Sequence, residues 1–182
     1  MIDGQAPVEV FDEIDSTILE ARRRAERNEV SPVWLIAKRQ TAGRGRRGRT
    51  WTSHPGNLMA TLLFTTDQPP QQIALLGFAT GVALAETIDA VIGAGAAQLK
   101  WPNDVFINGA KVAGIMLDSG AIASGQTWVA LAFGVNLADA PENIDQKTIC
   151  FRDLLPPDAP APEPLVFLAA LRPKLEGWSA RI

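Results

Sequence analysis

From Val30 to Thr66 the chain carries no Asp or Glu, while the same window holds Lys38, Arg39, Arg44, Arg46, Arg47 and Arg49. The window contains two apolar, strand-favouring stretches, residues 33–38 (VWLIAK) and 58–65 (LMATLLFT). Between them, in residues 41–50, Gly43, Gly45 and Gly48 alternate with Arg44, Arg46, Arg47 and Arg49. A segment so rich in glycine and charge neither propagates a helix nor offers an apolar face, so it reads as a loop joining two strands. The 182 residues include 17 Lys and Arg against 20 Asp and Glu, a net charge of −3. Outside the window the balance is 11 against 20, or −9. A compact positive island on an acidic chain reads as an anion site rather than a diffuse nucleic-acid face.

The remaining elements set this loop in a mixed architecture. Residues 8–11 read as a short strand, and residues 17–28 as a helix capped by Asp15 or Ser16, with Arg22, Arg23, Arg24 and Arg27 as its solvated face. Residues 71–92 form a long apolar helix. Residues 98–101, 105–107, 112–117 and 128–135 read as further strands, and Asn108–Gly109 is a hairpin signal. The proline-rich stretch 156–164 reads as a stiff loop, followed by a terminal helix over 165–178 that Pro173 should kink or interrupt. Strands outnumber helices, which favours an α+β fold: a mixed, largely antiparallel sheet flanked by helices. Trp34, Trp128 and Trp178 are assigned to the core.

Counting excludes several chemistries. One Cys (Cys150) forbids an internal disulfide or a Cys-rich zinc site; one His (His54) forbids a site with two His ligands; there is no Tyr. Cys150 reads as buried packing and His54 as a solvent-side loop residue. No signal peptide is visible, and the apolar stretch 73–85 looks too short and broken to span a membrane, so the expected location is the cytoplasm, without a membrane or DNA partner.

Two clusters carry chemistry. In the Gly/Arg loop, backbone N–H groups can form an anion nest and arginines supply planar bidentate donors for phosphate or carboxylate. The spacing is neither a Walker A motif nor a GxGxxG turn. The second cluster is KWPND (residues 100–104), with Lys111 and Gly114 following. The hairpin at Asn108–Gly109 folds Lys111 back towards Asp104, placing an ammonium beside an acid near the basic loop. That pairing suits neutralising a carboxylate as it attacks a phosphate. On these residues alone, Trp101 as core and Asn103–Asp104 as a mere turn cap remain an alternative.

Taken together, QTAGRGRRGRTW (40–51), PGNL (55–58), KWPND, KVAGIM (111–116), FGVNL (133–137) and the opening ExDST (13–17) resemble the catalytic domain of biotin protein ligases over roughly residues 8–137. The resemblance implies a biotin/lipoate ligase-like, class II aminoacyl-tRNA-synthetase-like fold and a two-step reaction. Biotin and MgATP yield biotinyl-5′-AMP and pyrophosphate; a lysine of a biotin carboxyl carrier domain, as in acetyl-CoA carboxylase, then takes the acyl group. It implies that Lys111, Arg46 and Asp104 are catalytic. Ser16, Thr17, Gln40, Gly43, Arg44, Gly45, Arg46, Lys111 and Gly114 would bind biotin. Arg46, Arg49, Trp51, Asn103, Lys111 and Asn136 would bind ATP, with Mg²⁺ held mostly by phosphates.

Two departures stand out. Ile18 occupies a position that is commonly Asn, which allows a lost hydrogen bond to biotin or a different acyl ligand. Family members usually continue into a small C-terminal β domain, and regulatory members carry an N-terminal helix-turn-helix. The expectation is that residues 1–182 are a single catalytic domain without either. The alternatives are a catalytically weak biotin- or adenylate-binding relative, or a ligase for lipoate or another acyl acid. Whether two copies form a homodimer is left open.

Overall fold

The computed structural model describes residues 2, 5–52, 54–142 and 146–182. Its centre is a seven-stranded sheet of β1 (Val8–Phe11), β2 (Val33–Ala37), β3 (Leu58–Thr66), β4 (Gln98–Lys100), β5 (Asp104–Ile107), β6 (Ala110–Ala121) and β7 (Thr127–Val135), in the order β1-β2-β3-β7-β6-β5-β4. Among these seven strands β1 and β2 run parallel, joined through helix α1 (Thr17–Glu26), and the other strand pairs are antiparallel. This is the mixed, largely antiparallel α+β sheet that the strand count favours.

The period-2 alternation of side chains decides which helix packs where. On one face Val33, Leu35, Leu63, Ala130 and Ala132 meet Ile18 and Ala21 of α1. On the other, Trp34, Ile36, Leu62, Phe64, Leu131 and Phe133 join the core beneath α2 (Pro70–Ile92) and α3 (Pro164–Ser179). Strands covered on both faces read as continuous apolar runs, as VWLIA does. Each fully buried Leu or Ile in them contributes about 1.5–3 kcal/mol.

Several local expectations need correcting. Pro173 leaves α3 unbroken: it and Ala169, whose carbonyl loses its partner, are both exposed, while the buried stripe of Phe167, Leu168, Leu171 and Leu175 is untouched. Helix α2 is long and apolar enough to cross a membrane by length and composition, and here it packs Ile73, Leu76, Ala83, Leu84 and Ile88 into the core. The arginines of α1 are ion-paired rather than merely solvated: Arg22 with Asp118, Arg23 with Asp15 and Glu20, Arg24 with Glu9 and Glu20, and Arg27 with Glu29. Trp34 is fully buried, but Trp128 and Trp178 are only partly so. Strand β6 has 12 residues, twice the expected length, because β7 pairs with it from Ala113 to Ala121.

Candidate functional site

The α1 face of the sheet is only partly covered by its helix. Beyond the N-terminus of α1, the cross-strand pair Gly114 and Gly134 leaves a bare patch of backbone. The Gly/Arg loop folds over this patch. It is an ordered hairpin: Gly45 N–H donates to Arg49 O (2.8 Å) and Trp51 N–H to Gly43 O (3.0 Å), and its tip is a short 3₁₀ turn, Arg46–Gly48. Those amides close the loop rather than form an anion nest, so the loop's anion chemistry falls more to its arginines. Gly48 takes φ +76°, a conformation suited to glycine. Gly43 is needed for space: a Cβ there would lie 2.3 Å from Trp51 O.

Between loop and sheet lies a cavity of about 960 Å³, at the upper end of the ~300–1,000 Å³ typical of ligand sites. One end is polar. Gln40 Oε1 accepts from Thr17 N (2.8 Å) and Thr17 Oγ1 (3.2 Å), and Thr61 Oγ1 donates to Thr17 Oγ1 (2.8 Å). Ser16, the N-cap of α1, is buried beside them and makes no side-chain capping bond. Ile18 also lines the cavity, but it packs within the apolar cluster around Ala21 and Leu35.

The other end is charged. Lys111 Nζ lies 2.7 Å from Asp104 Oδ1, both side chains being mostly buried. The Asn108–Gly109 turn, with φ of 51° and 76°, returns β6 along β5, and a bulge at Val105/Phe106 sets the register. Asn103 Nδ2 donates to Ile115 O (3.0 Å), while Asn103 Oδ1 accepts from Arg46 Nη1 (3.0 Å), so the loop is latched to KWPND. Arg44, Gly45 and Arg49 complete the rim, and Gly43 stands behind it.

Trp51 roofs the glycine patch. A Cβ on Gly134 would sit 2.3 Å from its Cε2, and one on Gly114 would sit 3.1 Å from its Cζ3 and 2.9 Å from Lys111 Nζ. The Lys111 ammonium lies 5.4 Å from the Trp51 ring centroid. Asn136 is 1% exposed; its Nδ2 donates to Ile149 O (3.2 Å), and its buried Oδ1 has no partner among the described residues. An unpaired acceptor in a cavity wall is a ready position for a ligand donor.

Sequence reasoning missed five contributors. Gly134 sits in the recognised FGVNL stretch, where its glycine was the available signal. Asn57 Oδ1 accepts from the N–H groups of Leu137, Ala138 and Asp139, fixing the turn after Asn136; only its place in PGNL pointed to it. Thr61 had no signal beyond lying in a strand. Gln146 and Thr148 form a wall whose neighbours clamp Lys111: Lys111 N–H donates to Lys147 O (2.8 Å) and Ile149 N–H to Lys111 O (3.0 Å). Nothing in IDQKTICF announces that role.

The remaining assignments shift as follows. Trp101 is 79% exposed, which removes the alternative that placed it in the core. Lys38 and Arg39 pair with Asp12 and Glu13, so the basic island contracts to its four loop arginines, which make no ion pair among the described residues. His54 is half-buried, with Nδ1 3.1 Å from Asp139 Oδ2. Cys150 is buried as expected, and burial pushes its thiol pKa up, away from thiolate chemistry.

An ammonium–carboxylate pair, four rim arginines and a polar far end define a site for an anionic small molecule with a hydrogen-bonding tail. Residues 10–137 match the biotin/lipoate A/B protein ligase family. The chain belongs to that family. A biotin–[acetyl-CoA-carboxylase] ligase of Paracoccus denitrificans is 37% identical over 171 residues, which cover 92% of this chain and 71% of that protein. One from Mycobacterium tuberculosis is 36% identical over 136 residues, covering 72% of this chain and 49% of that protein. The crystal structure of the Leishmania major biotin protein ligase in complex with biotinyl-5-AMP shares the fold, with a TM-score of 0.80 over 96% of this chain and 75% of that one, at 24% identity.

Proposed function

We propose that this chain is an ATP-dependent ligase that activates biotin as biotinyl-5′-AMP and passes it to a lysine of a biotin carboxyl carrier domain. The observation that carries the reading is the convergence of Lys111–Asp104 and Arg46–Asn103 at one end of a cavity whose other end is Ser16, Thr17 and Gln40.

In this reading the biotin ring system lies at the Ser16–Thr17–Gln40 end and its carboxylate reaches Lys111. A lysine ammonium has three donors; one faces Asp104, which leaves others for the carboxylate and the α-phosphate. A biotin carboxylate oxygen attacks the α-phosphorus of ATP, the bond to the β-phosphate oxygen breaks, and pyrophosphate leaves. Such a step depends on positioning and charge neutralisation rather than a protein nucleophile. Arg46, oriented by Asn103, and Arg49 offer guanidinium donors to the phosphates. Asn136 Oδ1 offers an acceptor to the nucleotide, and Trp51 an aromatic wall. In the second step the acceptor lysine nitrogen attacks the acyl carbon, the acyl–oxygen bond to AMP breaks, and the amine releases one proton. Among the described residues no three His, Cys, Asp or Glu side chains converge, so the reading has Mg²⁺ enter on the phosphates of its substrate. A cytoplasmic location belongs to the same proposal, since ATP is consumed.

The test is incubation of the chain with biotin, [α-³²P]ATP and a carrier domain. The expected result is biotinyl-AMP, then acceptor biotinylation, with lipoate failing to compete. Adenylation of lipoate in preference to biotin would move the reading to the other acyl acid that Ile18 admits.

A further inference from the structure

Strand β4 is an outer strand of the sheet and, among the described residues, pairs only with β5. It ends at Lys100, and Trp101 follows with 79% of its surface exposed. Leu99, two residues earlier, is 54% exposed but lies opposite Val105 and against Gly81 of α2, on the other face of the sheet. Single exposed apolar residues are ordinary, so what distinguishes Trp101 is its place. Trp101 is two residues from Asn103, which holds Arg46, and three from Asp104, which holds Lys111. It therefore forms the outer lip of the cavity next to its charged end. The surroundings are basic: Lys100 is exposed with its ammonium over the Phe106 ring at 4.6 Å, and across the mouth Arg47 and Arg49 are exposed, with no ion pair among the described residues.

We infer that Trp101 is the apolar step on which the acceptor protein docks, receiving an apolar side chain beside the target lysine while Lys100 and Arg47 meet carboxylates around it. The inference rests on the reading of the site as a biotin ligase. The second step requires a lysine of a folded domain to reach an acyl carbon held near Lys111. The residues flanking that lysine must then touch the lip, and Trp101 is the large apolar side chain standing there. A largely exposed aromatic flanked by cations fits an apolar anchor within an acidic surface, the usual make-up of an interface hot spot and its rim. With 79% of its surface exposed, Trp101 keeps most of its area free for a second protein.

The test uses the full chain with Trp101→Ala and Trp101→Phe and two nucleophiles, a biotin carboxyl carrier domain and hydroxylamine, each with biotin and ATP. Hydroxylamine attacks the same acyl carbon and yields biotinyl hydroxamate and AMP without any protein contact. Trp101→Ala should raise KM for the carrier domain at least about tenfold. Hydroxamate formation should stay within about twofold, and Trp101→Phe should recover most of the loss. Raised salt should raise the carrier KM of the unchanged chain. An equal loss with hydroxylamine would overturn the inference by placing Trp101 in the first step. So would an unchanged carrier KM, or a changed sedimentation coefficient with an unchanged carrier KM, which would make the lip a contact between two copies. If the unchanged chain forms no hydroxamate from biotin and ATP, the reading of the site itself fails, and this inference with it.

Discussion

Both backbone groups of Lys111 are bonded to residues 147 and 149, and its ammonium is held 2.7 Å from Asp104, so the cation is fixed before any ligand arrives. Fixed charges aimed at developing charge are worth about 10²–10³ in rate. Lys111→Gln should lower pyrophosphate release by about that factor with little change in fold, measured by biotin-dependent pyrophosphate release and circular dichroism. A variant retaining full adenylation would remove Lys111 from the reaction. Gly134 makes a different claim. Alanine there puts a methyl group within 2.3 Å of the Trp51 indole, so the ring must leave the glycine patch. Gly134→Ala should change tryptophan emission and weaken ATP binding by calorimetry, while Gly125→Ala, a turn glycine with φ +86° and open space, should cost only backbone strain. At this scale the sequence was legible where chemistry repeats local pattern: the Asn-Gly turn put Lys111 beside Asp104 before any coordinates did. Trp101 and Trp51 could not be sorted by composition. Both are tryptophans in polar motifs, and only the glycine pair on neighbouring strands makes one a roof and the other a lip.

Helix α1 is short and strongly charged, and it is held to the sheet by Ile18, Ala21 and a lattice of ion pairs. Arg23 holds the Asp15 carboxyl below the usual carboxylate range, and Arg24 does the same for Glu9. Burial pushes Glu20 upward, but Arg24 and Arg23 more than offset it and its pKa is also lowered. A depressed folded pKa contributes stability that is present above the unfolded value and lost as pH falls through the folded one. Chemical-unfolding stability should therefore be level from pH 7 to about 5 and fall below about pH 4. Arg24→Gln should flatten that fall, since two of the three carboxylates then lose a partner; identical slopes would show that other acids govern it. Element boundaries were readable to within a residue or two for β2, β3, α2 and β7, whose apolar runs are unambiguous. The exceptions share one cause. The full length of β6 comes from its partner β7, the continuity of α3 from Pro173 facing water, and the wall at residues 146–148 from pairing with Lys111. Each is a tertiary fact imposed on a weak local signal.

At the scale of the whole molecule, the cavity joins pieces that are distant in the chain: the start of α1, the loop after β2, the β4–β5 turn, the ends of β6 and β7, and residues 146–148. A ligand that touches all of them binds the folded chain and has nothing to bind in the unfolded one, so its affinity appears as stability. In the proposed reading biotin reaches from the polar end to Lys111, the nucleotide lies against the rim arginines and Asn136, and only the adenylate joins the two in one molecule. Biotin and ATP together should therefore raise the melting temperature by more than the sum of the separate shifts, provided the chain forms the adenylate and retains it. At a ligand concentration 100 times Kd the gain is about 2.7 kcal/mol, which for a domain of this size is about 5–11 °C. Replacing ATP with a non-cleavable α,β-methylene analogue separates occupancy from chemistry: both halves of the cavity are filled, but no mixed anhydride links them. The combined shift should then fall back to the sum of the separate ones. Lys111→Gln should give a shift no larger than the analogue does, because the linking step slows and the ammonium's contacts to both ligands are lost. A shift that is equally large with the analogue would mean that the two ends of the cavity communicate through the Gly/Arg loop, with Arg46 and Asn103 as the link, rather than through a shared product.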